Sequence, residues 1–189
     1  EGISIYDGVQ TKVYKPSEFH RQNANPIGNQ THFIAGDKDG NVFFDSDQSL
    51  IRYDIQTQKF SCLRKSNVYT VASIKGTIWV GIADSILTWN PDKNDFDFVT
   101  RLENRNQRAT CLLEDSGGRY WIGTTDGLFR MNDDKSLTCM IMGEDIYDLY
   151  EDSKYNLWIS IRMNGMYKRD VHGNFTRYRY DPSNPNNIS

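Results

Sequence analysis

Few of the side chains in this chain that could do chemistry stand where a reaction would need them. His20, His32 and His172 fall in a loop, at a strand start and in an expected hairpin turn. A histidine base needs a partner within hydrogen-bond reach, and the sequence offers no candidate pair. The run Asp37-Lys38-Asp39-Gly40-Asn41 has the look of a calcium loop. Its Gly, however, falls at the fourth position rather than the sixth, and no Glu follows at the twelfth, so it reads as a hairpin turn. Cys62, Cys111 and Cys139 are too few and too irregular for a disulfide framework or a Cys-x-x-Cys metal site, and they read as small packed hydrophobes. No Gly-rich strand-to-helix loop offers a phosphate cradle. The expectation is therefore a non-enzymatic chain with no catalytic residue, no metal and no cofactor.

Binding is the chemistry that remains. Arg105 and Arg108, in the segment Arg105-Asn106-Gln107-Arg108, and Arg162 carry forked donors suited to sugar hydroxyls or uronate carboxylates. His20 and Arg21 lie in a connection, residues 15–30, that is long for its kind, and such lengths are commonly functional. A solvated surface is the plainer reading of these charges. Either way, something rigid has to position them.

That scaffold is a repeat. A turn, an aromatic strand, a small residue, a hydrophobe and then an Asp or Asn recur four times, most clearly from Asp115 to Asn132. The aromatic anchors are Phe43, Trp79, Trp121 and Trp158. Six or seven residues later come Ser49, Ser85, Gly127 and Gly165, and the copies close on Asp54, Asn90, Asn132 and Asp170. Apolar and polar residues alternate over short runs broken by turn residues, which predicts strands and no helix beyond a turn or two. Val68–Ile74, Lys75-Gly76 and Thr77–Gly81 spell a hairpin, followed by a third strand at Ser85–Asn90 and a fourth at Phe96–Leu102. Regular placement makes the anchors packing residues rather than sugar-stacking ones. The closing Asp and Asn residues read as turn-formers that bond the backbone ahead of them.

Four strands per unit in sequential hairpins make a propeller blade. The fold expected is all-β, a β-propeller fragment of about four four-stranded antiparallel blades plus a leading half-blade, an open arc rather than a closed ring. Residues 1–14 would be the second half of a blade, 15–30 an inter-blade loop, 31–67, 68–108, 109–145 and 146–181 the four blades, and 182–189 a linker to a following blade. In such a fold the inter-blade connections and the loops joining second to third strands share one face. On this chain they include 15–30, 104–108 and 161–164.

Glu114 to Thr124 with Gly127-Leu128, and Glu151 to Ser160 with Gly165-Met166-Tyr167, resemble the two-component regulator propeller repeat. The resemblance is strong from Cys111 to Asp181 and weak before Val68. The first full copy departs from it, with Phe43 for Trp and Phe44-Asp45 for Ile-Gly, and the next has Ser85-Ile86 for Gly-Leu. The resemblance implies a periplasmic sensor segment of a hybrid two-component protein, ahead of a membrane helix and a histidine kinase, with oligosaccharides from polysaccharide breakdown as ligand. It also implies the remaining blades and neighbouring domains of the same polypeptide as partners, with a homodimer of the full receptor among the expectations. The rival readings are a metal-dependent propeller lyase and a protein-interaction scaffold.

With 189 residues, 38% of them hydrophobic and 13% aromatic, the chain can bury a substantial core. A net charge of -3 without a basic run argues against nucleic-acid binding or direct contact with an anionic membrane. No apolar stretch reaches the length of a spanning helix.

Overall fold

In the computed structural model, residues 3–6, 8–14 and 30–179 are described. They form a hairpin, β1 (Ile3–Tyr6) and β2 (Thr11–Tyr14), and four four-stranded antiparallel sheets. The first sheet is β3 (Ile34–Gly36), β4 (Val42–Ser46), β5 (Ser49–Asp54) and β6 (Lys59–Arg64). The second is β7 (Val68–Ile74), β8 (Thr77–Ile82), β9 (Ser85–Asn90) and β10 (Asp95–Arg101). The third is β11 (Ala109–Glu114), β12 (Tyr120–Thr124), β13 (Gly127–Met131) and β14 (Leu137–Met142). The fourth is β15 (Ile146–Glu151), β16 (Leu157–Ile161), β17 (Met166–Arg169) and β18 (Phe175–Tyr178). Every sheet runs in chain order, as successive hairpins must, and each sheet is one propeller blade. Among the described residues there is no helix long and apolar enough to cross a membrane.

The chain divides into two compact units, residues 1–80 with 88–97, and residues 81–87 with 98–189, so the boundary runs through the strands of the second sheet. In the first unit, Phe44, Ile51 and Tyr53 form a buried cluster onto which Ile3 and Ile5 of the leading hairpin pack. Phe43 is fully buried and meets the Trp89 ring edge-on at 5.2 Å. Lys75 and Gly76 both take positive φ, the mirror-image turn whose twist suits a two-residue hairpin.

In the second unit, Cys111, Trp121, Leu128, Ile146 and Ile159 are the centre of a cluster linking the third and fourth sheets. Burying each aliphatic side chain stabilises by about 1.5–3 kcal/mol. Close approach dictates the small residues of the repeat. A methyl on Gly123 would overlap Cys111 Sγ and the Ile146 side chain, and one on Gly165, at φ +81°, would strike the Tyr178 carbonyl oxygen.

A carboxylate clasps the indole in the two copies closest to the repeat. Trp121 Nε1 donates to Asp115 Oδ2 at 2.8 Å, and Trp158 Nε1 donates to Asp152 Oδ2 at 2.8 Å. The same carboxylates close the preceding turn: Asp115 Oδ1 accepts Arg119 N and Asp152 Oδ1 accepts Asn156 N, both at 2.9 Å. Asp37 closes its turn in the same way, accepting Asn41 N at 2.8 Å, but the Phe43 ring has no N–H to offer. This turn carboxylate, six residues before the anchor, is the bond that the sequence reading missed.

Burial alone would raise the Asp115 carboxyl, but hydrogen bonds from Trp121 and Arg119 outweigh it and hold it below its ordinary range. Asp152 is held well below that range, first by Trp158 and then by Asn156. A depressed folded-state pKa gives stability that is present above the unfolded value, about pH 4, and lost as pH falls through the folded one. The thermal midpoint is therefore expected to stay level above about pH 5 and to fall steadily in more acidic buffer. In Asp115→Asn that acid slope should be shallower; differential scanning calorimetry across pH 2–6 would expose an unchanged slope.

The anchors are not equally buried. Phe43 and Trp121 are inside, whereas Trp79 and Trp158 are half-buried. Trp158 lies beside Tyr178, with Lys168 Nζ 5.6 Å from its ring centre. All three cysteines are free, and Cys139 is exposed rather than packed, because β14 is an outer strand with little covering it. Burial pushes the Cys111 thiol up to about 12. Alkylation of the native chain at pH 8 is expected to label Cys139 well before Cys111; mass spectrometry showing equal rates would contradict this burial.

Candidate ligand-binding face

Antiparallel hairpins put the second-to-third strand turns at the same end of the blades as the connections between sheets. In the second unit this end comprises residues 102–108, 125–126, 143–145 and 162–165. Gln107, almost fully buried, donates through Nε2 to Thr124 Oγ1 at 3.0 Å. Arg108 N donates to Thr125 Oγ1 at 3.2 Å and Thr125 N to Arg108 O at 3.0 Å, tying the 102–108 connection to the turn after β12. Gly143 N donates to Asp126 O, and Arg162 N to Asp145 O, repeating the tie in the next two places.

The candidate arginines are placed differently by this scaffold. Arg105 is exposed, and its carbonyl oxygen accepts from Arg108 Nη1 at 2.5 Å. Arg108 also donates to Gln107 O at 2.8 Å, so its guanidinium is partly spent on its own loop. Arg162 Nε donates to Asp145 Oδ2 at 2.9 Å, and its guanidinium lies 4.9 Å from the Tyr147 ring centre. Arg105 and Arg108 belong to the connection before β11, whereas Arg162 belongs to the turn after β16. Tyr147 is 58% exposed and the Arg162 guanidinium lies over its ring, a cation–π contact that presents an aromatic and a charged group together at this end. Tyr147 escaped the sequence reading because it stands outside the repeat pattern. His20 and Arg21 lie outside the described residues.

In the first unit the same end of the first sheet holds a depression of about 760 Å³. Gln30, Ser46, Asp47, Gln48, Lys65 and Ser66 line it. Amides, hydroxyls and one charge of each sign, with no aromatic wall, suit a polyhydroxylated ligand held by hydrogen bonds. Asp47 carries positive φ at 49°, and its N–H donates to Gln30 O at 3.2 Å, which fixes the rim. Among the described residues that line it, Ser49 is a repeat position, and the motif gave no signal for the others.

His32 does have a partner. Its Nδ1 lies 2.9 Å from Asp45 Oδ2, and Asp45 Oδ1 accepts the backbone N–H groups of His32 and Phe33 at 2.7 and 2.6 Å. Asp45 stands where the repeat has Gly, and that departure was the one sequence signal of this pair. The buried carboxylate anchors the strand entry, while the His32 side chain is 63% exposed. Among the described residues no group of three or more His, Cys, Asp or Glu side chains is arranged to hold a metal ion.

The closing residues of the repeat make local bonds. Asp54 Oδ1 accepts Thr57 N at 2.8 Å, Asn90 Oδ1 accepts Asp92 N at 3.1 Å, and Asp170 Oδ1 accepts His172 N at 2.9 Å. Asn132 differs: its Nδ2 donates to Ser136 Oγ and Thr138 Oγ1, and Asp134 accepts the turn N–H of Ser136 instead. Gly127 and Gly165 occupy the start of the third strand and the turn before it, both at positive φ.

Residues 105–126 match the family described as two component regulator propeller. No curated protein matches the chain. Among solved structures, the extracellular domain of the protein described as hybrid two component system BT4673 from B. thetaiotaomicron is similar, with a TM-score of 0.73 and 19% identity over 89% of this chain and 24% of that one. The corresponding domain of BT3049 from B. thetaiotaomicron gives a TM-score of 0.74 and 20% identity over 95% of this chain and 25% of that one. The chain thus spans about a quarter of the length of these neighbours. Virginiamycin B lyase from Staphylococcus aureus gives a TM-score of 0.65 and 16% identity over 82% of this chain and 58% of that one. The chain is an all-β protein built of propeller blades, and its residues 105–126 match the two component regulator propeller.

Proposed function

We propose that this chain is the ligand-sensing part of a hybrid two-component signalling protein, displayed in the periplasm, and that it reads oligosaccharides without converting them. The match of residues 105–126 to the two component regulator propeller carries this reading. The likeness to extracellular domains of two hybrid two component systems supports it, as does the polar depression around Asp47 and Lys65. Sugar hydroxyls would be met there by amide, hydroxyl and charged groups, with Tyr147 and Arg162 as a second, stacking contact. Partners follow from the same reading: further blades and domains of the same polypeptide, and a second copy of the receptor.

The coding sequence around this stretch tests the reading. Further blades followed by one membrane-spanning helix and a kinase are expected downstream. A reading frame that closes soon after Ser189 with neither would contradict it.

A propeller lyase is the second reading, favoured by the fold shared with virginiamycin B lyase and by the His32–Asp45 pair. Metal-dependent turnover abolished by His32→Ala would establish it in place of the sensor.

A further inference from the structure

At the opposite end of the third sheet positively charged side chains gather, of which Arg119 is paired with Asp115. Arg119 at the end of the β11–β12 turn, Arg130 on β13 and Lys135 in the β13–β14 turn line a depression of about 320 Å³, together with Tyr120, Asn132 and Asp133. Register explains the gathering, because Arg130 is the cross-strand partner of Trp121 and Tyr120 that of Met131, so the turn and the strand end converge. From the neighbouring β17, Arg169 reaches over the same Trp121, its guanidinium carbon 5.3 Å from the ring centre. Its Nε is buried and has no hydrogen-bond partner among the described residues.

The carboxylate at this place is already committed. Asp115 Oδ2 accepts Arg119 Nε at 2.7 Å and Trp121 Nε1 at 2.8 Å, and its Oδ1 accepts Arg119 N at 2.9 Å. Asp170, beside Arg169, accepts His172 N, Asn174 N and Asn174 Nδ2. Asp134 bonds Ser136. Asp133, exposed on the rim, is the one acid in the lining against three cations. The Arg130 side chain makes no hydrogen bond or ion pair among the described residues. Burial first, and then the Arg119 and Arg130 charges, press the Arg169 pKa downward against the opposing pull of Asp115 and Asp170. Mutual repulsion of this kind is relieved by an added anion.

We propose that this depression is an oxyanion site, in which Arg130 and Lys135, with the outer edge of the Arg119 guanidinium, hold a sulfate ester or carboxylate group of an acidic ligand. A guanidinium presents parallel N–H groups that match two oxygens of such a group, and the lysine adds a mobile charge. The site lies at the other end of the sheet from Arg105 and Arg108, and it stands apart from the sensor reading: a chain that ignored neutral oligosaccharides would still bind the anion.

Thermal-shift titration of the 189-residue chain with sodium sulfate and with sodium glucuronate, against sodium chloride at matched ionic strength, tests it. A saturable rise of the midpoint is expected with sulfate, glucuronate or both, beyond the chloride effect, and the more effective salt identifies the preferred group. Arg130→Gln should weaken the effective anion about tenfold or more, as loss of a charge-assisted hydrogen bond implies. Arg130→Lys should fall between the two, and Lys154→Gln, an exposed cation elsewhere in the same unit, should leave the curve unchanged. Should Arg130→Gln fail to fold, Lys135→Gln provides the same comparison. Curves for both anions that coincide with chloride, or that are the same in wild type and the Arg130 or Lys135 variant, would overturn the site.

Discussion

Replacing Trp121 by alanine is expected to cost about 4 kcal/mol of folding free energy, the range for removing a large buried aromatic side chain. Trp121 is 1% exposed, belongs to the cluster between the third and fourth sheets and supports the Arg169 guanidinium. Its removal also takes away the indole donor that Asp115 accepts at 2.8 Å. Trp121→Phe separates the two contributions, since it keeps most of the ring volume and loses the N–H. That variant should lose about 1.5–3 kcal/mol, the range for a hydrogen bond to a charged group. Against a typical total of about 5–15 kcal/mol, the alanine change approaches loss of the fold. Urea denaturation with an unchanged slope is the measurement. An alanine variant within about 1 kcal/mol of wild type would mean that the clasp does not organise the second unit.

Gly127→Ala should be nearly as damaging, at about 3 kcal/mol or more, because two penalties fall on one atom. Gly127 sits at φ +146°, and an added Cβ would overlap the Ile141 carbonyl oxygen of the adjacent strand β14. Relief requires the β13–β14 ladder to open, since the clash is with backbone rather than with a side chain that can turn away. Gly143→Ala provides the comparison: its φ is +74°, yet nothing lies within 4 Å of the new Cβ. It should lose only about 1 kcal/mol, the cost of placing an alanine in the left-handed region. Equal losses in the two variants would show that close approach is not what selects glycine at the repeat position.

These residues also show why some of the molecule was legible in the sequence. Strand alternation and the turn at Lys75-Gly76 are local, and the third strand of the second blade, Ser85–Asn90, is found over the residues expected. The repeat made the aromatic anchors visible because they recur at the same place in each copy, although Phe43 and Trp121 are buried and Trp79 and Trp158 only half-buried. It concealed the turn carboxylate, since Asp115 and Asp152 lie six residues from the rings they hold and looked like ordinary turn acids. Binding residues fared worse for a physical reason. Lys65, Asp47 and Tyr147 lie in connections or at strand starts, where the blade demands nothing in particular and periodicity therefore carries no signal. The arginines were visible as residue types, but only the geometry reveals that Arg162 is paired to Asp145 while Arg130 makes no ion pair among the described residues. Asp45 is the instructive departure: a charge replacing the repeat Gly marked a place where a backbone entry and His32 are held by one buried carboxylate.

Isothermal titration of the chain with a panel of neutral and acidic oligosaccharides, with each titrant analysed for products afterwards, is the most direct test of a sensor that binds without reaction. Saturable binding of at least one oligosaccharide is predicted, recovered unchanged. Binding should weaken about tenfold when Lys65→Ala removes a charged donor from the depression in the first unit. Conversion of a titrant to product, or the absence of binding across the whole panel, would contradict the account.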